Sequence, residues 1–327
     1  MIKIWGTAFS LIGDLIMSLP QLNYYKSKYK DIYVNFVIHK KISYCAPLFF
    51  NHPLIDKIHI SGEWSTFNEN DYSIASKCDV ITTKIDHSHK KILDRVHPDR
   101  DDWYNVRSCI QENALMSGIS DLDVEIDVSK QIPYLTKWFD AGFEAEQKKA
   151  AYTYNKVEPP NLNYTLSRSI AIWPFAGYGR SKNRNPSEKW WFELIKKFSD
   201  NKINVYHFGY FKEPDLCKNK EFYHKLTNLD FFSQIKISLG AKASLGTDSG
   251  SMWVLSAYAH PTITLLTNWY KNHTDNLYAA LPANKNGEFI FKENGFKNLT
   301  VDEVYDHCIR KGVSKINQID QLINKFR

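Results

Sequence analysis

The sequence has few of the residues that build disulfide frameworks or metal sites. Its five cysteines are odd in number, lie far apart and include no Cys-x-x-Cys pair. Its 11 histidines include no His-x-x-x-His spacing, which would place two imidazoles on one face of a helix. These absences argue against a disulfide scaffold and against a zinc site, and they favour a reducing, cytoplasmic location.

Long apolar runs are also missing. No run reaches the roughly 18 apolar residues of a membrane-spanning helix, and the segment from Met1 to Trp5 reads as a strand. We therefore expect neither a membrane span nor a signal peptide. A hydrophobic fraction of 43% and a charged fraction of 24% are typical of a soluble globular protein. With 327 residues, the chain fits two domains of roughly 150 residues each.

The charge balance is only mildly positive. The 42 Lys and Arg residues exceed the 36 Asp and Glu residues, which gives a net charge of +6. This surplus suits an anionic ligand, an acidic membrane surface or a polyanion, and it selects none of them. Aromatic residues make up 14% of the chain and can stack on bases or sugar rings, although packing accounts for most of them. Because the basic residues form no clustered motif, nucleic acid is not favoured as a partner.

Strand-like and helix-like segments alternate in the first half of the chain. The predicted strands are residues 2–7, 33–38, 56–60 and 80–83, and the predicted helices are residues 14–29, 42–50 and 103–116. The polar stretch 86–102 predicts a long loop that faces a cleft. This alternation predicts a parallel sheet covered on both faces.

A second alternation follows a change in composition around Pro159-Pro160, a pair that cannot continue a helix or a central strand. Its predicted strands are residues 169–173, 204–208, 243–245 and 262–266, and its predicted helices are residues 187–198, 231–239, 251–259, 301–311 and 316–326. The predicted domains are residues 1–158 and 159–327, with the last helix able to pack back on the first domain. The fold class is therefore α/β, with two Rossmann-like, doubly wound domains facing a cleft at the carboxyl ends of their strands.

The segment from Gly246 to Met252 predicts an anion-binding turn, because it follows an apolar strand and leads directly into an apolar helix. The unpaired N–H groups and the positive dipole end of such a helix attract phosphate. Small residues let a diphosphate approach the backbone, and Ser249 and Ser251 add hydroxyl donors. The alternative is ordinary helix capping, since Thr-Asp-Ser-Gly is also a common N-cap sequence.

Gly13 and Asp14 follow the first predicted strand. Gly13 allows a tight turn, and Asp14 lies at the start of the next helix. A carboxylate there that faces the cleft can act as a general base. The alternative is a helix-capping aspartate with no chemical role.

A basic loop with glycines follows the first strand of the second half. Its notable residues are Gly177, Gly179, Arg180, Lys182 and Arg184. Such a loop can clamp a diphosphate leaving group, or it can be a solvated loop without a ligand. After the next strand, Glu213 is a candidate for hydrogen bonds to a ribose hydroxyl, with an ordinary surface glutamate as the alternative.

Taken in order, these segments resemble the heptosyltransferase-like family, glycosyltransferase family nine, which has the GT-B architecture. The matching segments are Gly13-Asp14, Leu19-Pro20, Asn51 to Asp56, Pro174, Pro186 to Trp190, Leu226-Thr227, Gly246 to Met252, and Pro261. The likeness covers most of the chain. It rests on the joint order and spacing of the segments rather than on any one of them.

The resemblance implies an inverting, metal-independent transfer of a sugar from a nucleoside diphosphate donor, with no cofactor. Asp14 inherits the family's role of general base, which removes a proton from the acceptor hydroxyl as that oxygen attacks the anomeric carbon. The second domain then holds the donor. The implied substrate-binding residues are Gly13, Lys182, Arg184, Glu213, Thr247, Asp248, Ser249, Gly250 and Ser251.

The implied acceptor is a lipopolysaccharide-core or other surface glycan or glycolipid. Peripheral contact with the inner membrane is an expectation for the basic and aromatic residues Tyr24, Tyr25, Lys26, Lys28 and Lys30, although an ordinary amphipathic surface helix explains them equally well. Two alternatives stay open. One is transfer to nucleic acid or another polyanion, and the other is a nucleotide-sugar-binding protein without turnover.

Two positions depart from the family pattern. Asn183 stands where the family usually has lysine three residues before the matched Pro186, and Trp253 stands where histidine is common. Lys182 and Arg184 flank the first position and can substitute for the lysine. These departures predict altered donor-sugar contacts, so specificity for ADP-heptose is not carried over.

Overall fold

A computed structural model describes residues 2–8, 12–49, 52–61, 80–83, 166–177, 184–267, 286–292 and 295–313. The chain divides into two compact units, one of Met1–Thr153 with Asn272–Asn284 and one of Tyr154–Lys271 with Lys285–Arg327. The boundary predicted after residue 158, the predicted loop 86–102 and the predicted helices 103–116 and 316–326 lie outside the described residues.

Among the described residues, the first unit contains a four-stranded parallel sheet. Its strands are β1 (Ile2–Ala8), β2 (Ile32–His39), β3 (Lys57–Ser61) and β4 (Val80–Thr83). Their spatial order is β3-β2-β1-β4, so β2 and β3 lie on one side of β1 and β4 lies on the other. The order therefore reverses between β1 and β4, which makes this position the switch point of the first sheet.

Helix α1 (Ile12–Lys28) connects β1 to β2 and packs on both. Its fully buried residues recur at helical spacing and are Leu15, Ile16, Leu19 and Leu22. Each such side chain contributes about 2 kcal/mol of hydrophobic stabilisation. The helix predicted over residues 42–50 is instead a 3₁₀ segment, Lys40–Phe49, with a kink at Ile42. Pro47 lies within it and has no N–H to donate, which disfavours a continuous α-helix there.

The second unit contains a six-stranded sheet in which every pairing between described strands is parallel. Its strands are β5 (Ser169–Trp173), β6 (Asn204–His207), β7 (Tyr223–Lys225), β8 (Ala243–Thr247), β9 (Thr262–Thr267) and β10 (Gly287–Lys292). Their spatial order is β10-β9-β8-β5-β6-β7. The α/β class with parallel sheets predicted from the sequence is thus confirmed, while β7 and β10, at the two edges, were not predicted.

The described α-helices of the second unit follow its strands. They are α2 (Glu188–Asp200), α3 (Phe231–Gly240), α4 (Gly250–Ala257) and α5 (Val301–Arg310). Ser187 caps α2, because its hydroxyl oxygen accepts the Trp190 N–H at 3.2 Å. The face of α2 that enters the core carries Trp191, Leu194 and Phe198, all fully buried.

The basic and aromatic end of α1 is largely engaged within the protein. Tyr25 is buried, the Lys26 ammonium lies 2.8 Å from a carboxylate oxygen of Asp56, and the Lys28 ammonium donates to the Tyr24 hydroxyl at 2.8 Å. Within the described part of the chain, no helix combines the length and the hydropathy that crossing a membrane requires. Peripheral membrane contact stays a prediction.

Candidate functional site

Three segments meet at one edge of the second sheet. Strands β8, β5 and β6 are neighbours and parallel, so their carboxyl ends bring residues 248–251, 174–177 and 208–213 to the same edge. The strand order reverses between β5 and β8, because β6 and β7 lie on one side and β9 and β10 on the other. Open α/β sheets bind their ligands at such a switch point.

The turn after β8 is held tightly against β5. Gly246 is paired with Trp173, and a Cβ on Gly246 would lie 2.8 Å from the Trp173 carbonyl oxygen and 2.8 Å from the Met252 sulfur. Only glycine fits this space without a shift. Thr247 is fully buried, and its hydroxyl donates to the Pro174 carbonyl oxygen at 3.5 Å. This hydrogen bond connects the end of β8 to the start of the loop after β5.

The amino end of α4 has no side-chain cap among the residues that the structure describes. Ser249 occupies the N-cap position and its side chain makes no capping hydrogen bond, whereas Ser187, Asp230 and Thr300 cap α2, α3 and α5. The N–H groups of a first helical turn have no acceptor within the helix. Because residues 248–251 are also partly exposed, this end of α4 is able to donate hydrogen bonds to an anion.

Arg184 links the basic loop to this turn. Its guanidinium donates to the Asp248 carbonyl oxygen at 3.0 Å and lies 3.4 Å from a carboxylate oxygen of the same residue. The two side chains are 21% and 16% exposed, so the ion pair is largely shielded from water. The guanidinium offsets the carboxylate charge, which would otherwise weaken the attraction of the α4 amino end for an anion.

The two ends of the basic loop are held in place. Gly177 has a left-handed backbone with φ of 58°, which favours glycine. The Ala176 N–H donates to the Asn185 side-chain oxygen at 2.8 Å and so closes the base of the loop. Residues 178–183, with Lys182 and Asn183, lie outside the described residues, and the role of Lys182 stays a prediction.

Glu213 turns into the protein. It is only 3% exposed, one carboxylate oxygen accepts the Tyr210 N–H at 2.9 Å, and the other lies 3.1 Å from Nε2 of His207. A Cβ on Gly209 would overlap the carboxylate, so the backbone lies directly against it. These contacts give Glu213 a role in shaping the loop after β6, and the ribose contact that the resemblance implies stays a prediction.

A buried chain of hydrogen bonds extends from Glu213. Burial lowers the pKa of His207 despite the opposing effect of Glu213, and burial raises the pKa of Tyr223. His207 is therefore neutral at pH 7, so Nε2–H donates to Glu213 while Nδ1 accepts from the Tyr223 hydroxyl at 2.7 Å. The Tyr223 oxygen in turn accepts the Leu216 N–H at 3.2 Å. This chain ties the loop to β6 and β7.

Asp14 is the third residue of α1, within its first turn rather than before it. The helix follows β1, which borders the switch point of the first sheet. The preceding residue, Gly13, is buried. Asp14 thus lies at the edge where such sheets bind ligands, and its role as a base stays a prediction.

Metal ligands do not cluster in the described part of the chain. Among those residues, no group of three or more His, Cys, Asp and Glu could hold a metal ion. Metal-independent chemistry stays a prediction.

The chain matches no protein-family model and no curated protein, but it is similar to solved structures over nearly its whole length. It is similar to ADP-heptose lps heptosyltransferase II of E. coli with a TM-score of 0.60 at 13% identity, over 95% of this chain and 98% of that chain. It is similar to a glycosyl transferase family 9 structure from Veillonella parvula with a TM-score of 0.62 at 12% identity, over 95% and 97%. A third is the UDP-GlcNAc 2-epimerase from Neisseria meningitidis bound to UDP-GlcNAc, with a TM-score of 0.51 at 11% identity, over 97% and 95%.

These similarities establish the fold. The chain has the two-domain α/β architecture called GT-B, and the resemblance found in the sequence is confirmed at that level. Transferases and epimerases both appear among the similar structures. The fold alone therefore does not distinguish a transferase from an epimerase.

Several residues that shape the site were not singled out from the sequence. They are His207, Tyr223, Gln234 and Asn185. The available signal for His207 was a titratable side chain at the end of strand β6. Its partner Tyr223 lies 16 residues away on another strand, and no local pattern pairs them.

Proposed function

We propose that the protein is a glycosyltransferase that moves a sugar from a nucleoside diphosphate donor to an acceptor hydroxyl. The observation that carries this proposal is the uncapped amino end of α4 at the switch point between β5 and β8. Arg184 supports it by offsetting the charge of Asp248 at the same place. The diphosphate of a donor is the anion that these features suit.

Negative charge develops on the diphosphate as the donor bond breaks. In this proposal the first N–H groups of α4 and the hydroxyls of Ser249 and Ser251 share that charge, Lys182 adds positive charge, and Arg184 offsets the charge of Asp248. Removing one preorganised donor of this type typically slows a reaction by about 10²–10³-fold. The proposed site therefore stabilises the leaving group without a metal ion.

Asp14 is the proposed general base. It accepts the proton of the acceptor hydroxyl as that oxygen forms a bond to the anomeric carbon. The bond from the same carbon to the diphosphate oxygen breaks, and the electron pair leaves with the nucleoside diphosphate. Attack from the face opposite the leaving group inverts the anomeric configuration. General bases of this kind contribute about 10²–10⁴-fold to the rate.

The proposed acceptor is a lipopolysaccharide-core or other surface glycan. The name of the similar E. coli protein, which includes both ADP-heptose and lps, supports this choice. Trp253 is the fourth residue of α4 and is 7% exposed. Because this bulky side chain replaces the family's histidine, we propose a donor sugar other than heptose.

The test is to incubate the purified protein with a panel of nucleoside diphosphate sugars and oligosaccharide acceptors. Mass spectrometry should show an acceptor heavier by one sugar, with release of the nucleoside diphosphate, and NMR should show an inverted anomeric configuration. An epimerised donor without transfer would instead indicate an epimerase. Donor binding without turnover would indicate a non-catalytic binder, and salt-dependent transfer to nucleic acid would support the polyanion alternative.

A further inference from the structure

Two large aromatic side chains are exposed next to each other after β6. Tyr210 is 46% exposed and Phe211 is 52% exposed, with ring centroids 4.5 Å apart. The Lys212 ammonium lies 5.5 Å from the centre of the Phe211 ring. In the described part of the chain, the other large apolar side chains with comparable exposure are Ile60 and Phe192. An adjacent exposed pair of rings is the kind of surface that contacts a ligand.

The backbone that carries these rings is rigidly held. Gly209 has a φ of 145°, a conformation that favours glycine. The Gln234 side-chain oxygen accepts the Gly209 N–H at 2.8 Å, and its NH₂ donates to the Gly209 carbonyl oxygen at 3.2 Å. Tyr210 is also bonded to Glu213, through its N–H at 2.9 Å and its carbonyl oxygen at 2.9 Å. The buried network therefore fixes the backbone, and the two rings remain outside it.

The aromatic pair lies within reach of the proposed diphosphate site. β6 is two strands from β8, and neighbouring strands are about 4.8 Å apart, so their carboxyl ends are separated by roughly 10 Å. A nucleoside diphosphate with its phosphates at the α4 amino end is long enough to cover that separation with its ribose and base.

The loop after β6 exposes aromatic rings, while its carboxylate is turned into the protein. In Rossmann-type sites, an acid after the second strand bonds to the ribose. Here that acid is Glu213, and both its oxygens are engaged by His207 and the Tyr210 N–H. The groups that this loop offers to a ligand are instead the exposed rings of Tyr210 and Phe211 and the ammonium of Lys212.

We infer that Tyr210 and Phe211 form a stacking platform for the nucleobase of the donor, with Lys212 supplying positive charge beside it. The inference rests on the proposed function and deepens it by assigning the base subsite. Aromatic stacking contacts the flat face that every base has. The stacking platform therefore holds the nucleoside in place without selecting one base by hydrogen bonds.

The experiment measures nucleoside diphosphate binding by calorimetry, with ADP, GDP, UDP and CDP as probes. Tyr210→Ala and Phe211→Ala should each raise the Kd of the bound probe by about tenfold, and Phe211→Trp should preserve it. Phe192→Ala, which removes an exposed ring on α2, is the matched control and should change nothing. In saturation-transfer NMR, the base protons should lose signal in the Tyr210→Ala, Phe211→Ala double variant more than the ribose protons do.

The experiment distinguishes failure of the stacking platform from failure of the proposed function. If the wild-type protein binds a probe and the two alanine variants keep its Kd within twofold, the platform is wrong while the donor site stands. Uniform loss of signal from base and ribose protons would also contradict a stacking role. If the wild-type protein binds no nucleoside diphosphate, both the platform and the proposed function fail.

Discussion

The Arg184 guanidinium donates to the Asp248 carbonyl oxygen at 3.0 Å and lies 3.4 Å from the carboxylate of the same residue. This contact joins two segments that are 64 residues apart in the sequence. It leaves an overall neutral pair beside the uncapped amino end of α4. An incoming diphosphate would otherwise meet the negative charge of Asp248 at that place.

Arg184→Met should therefore weaken donor binding, because it removes the positive charge beside the Asp248 carboxylate. We expect the Kd to rise by about tenfold or more, because charged hydrogen bonds contribute about 1.5–3 kcal/mol. Asp248→Asn in the same background should recover part of the loss, since it removes the repelling charge. Calorimetric titration of all four proteins completes the cycle, with Lys189→Met as the control at a side chain that is 85% exposed. Strictly additive effects would contradict the neutralising role.

Gly246→Ala should disturb the turn by overlap. The added methyl group would lie 2.8 Å from both the Trp173 carbonyl oxygen and the Met252 sulfur. We expect a loss of about 1–3 kcal/mol in the free energy of unfolding, as in other overpacked interiors, together with weaker donor binding. Urea unfolding and a donor titration measure the two effects. Ser244→Ala, in the same strand, should leave the Kd unchanged, and an unaltered Kd in Gly246→Ala would contradict the importance of this packing.

Glu213→Gln tests whether this residue shapes the loop or binds ribose. Because Glu213 accepts from His207 and from the Tyr210 N–H while buried, we expect a loss of about 1–3 kcal/mol in the free energy of unfolding. The ratio of Kd values for ribonucleoside and 2′-deoxyribonucleoside diphosphates should be the same in the variant and the wild type. Unchanged stability combined with a lost preference for ribose would instead support the ribose contact.

Acid should destabilise the second unit through its buried and half-buried histidines. Burial lowers the pKa of His260 to about 4 and also lowers that of His207 and His224. Unfolded histidines titrate near 6.5, so below about that pH the unfolded chain binds protons that the folded chain excludes. The contribution of these neutral histidines to the free energy of unfolding is fully present above about pH 6.5 and falls as the pH drops towards about 4.

His260→Gln should flatten that dependence, by up to about 1.4 kcal/mol for each pH unit below 6.5. Urea unfolding at several pH values between neutral and mildly acidic gives the slope. Tyr258→Phe is the matched control, because a neighbouring phenol does not titrate in this range and its removal should keep the wild-type slope. An identical slope in His260→Gln and the wild type would show that His260 does not contribute.

Much of the second sheet could be predicted because strands β5, β8 and β9 are buried at every position and consist mainly of aliphatic, small and β-branched residues. The edge strands β7 and β10 could not. β7 has only three residues, and β10 is mostly half-buried with a mixed polar and apolar sequence. Their place in the sheet is set by parallel pairing with β6 and β9, which no local pattern reveals.

The position of the candidate site in the sequence could be predicted from its turn, but the side-chain contacts within the site could not. Thr247 to Ser251 stand out because small polar residues follow an apolar strand. The pairing of Arg184 with Asp248 depends on the adjacency of β5 and β8. The inward turn of Glu213 depends on His207 at the end of β6, and from the sequence alone a glutamate in a loop reads as exposed.

The most direct test of the account is a comparison of sugar transfer and donor binding in the wild-type protein and in Asp14→Asn. We predict that the wild type transfers sugar with inversion, and that Asp14→Asn lowers the turnover by about 10²–10⁴-fold. The Kd of the donor should remain within a few-fold of the wild-type value, because the proposed donor contacts lie on α4 and its neighbouring loops. Undiminished transfer by Asp14→Asn, or the absence of any transfer by the wild type across the donor panel, would contradict the account.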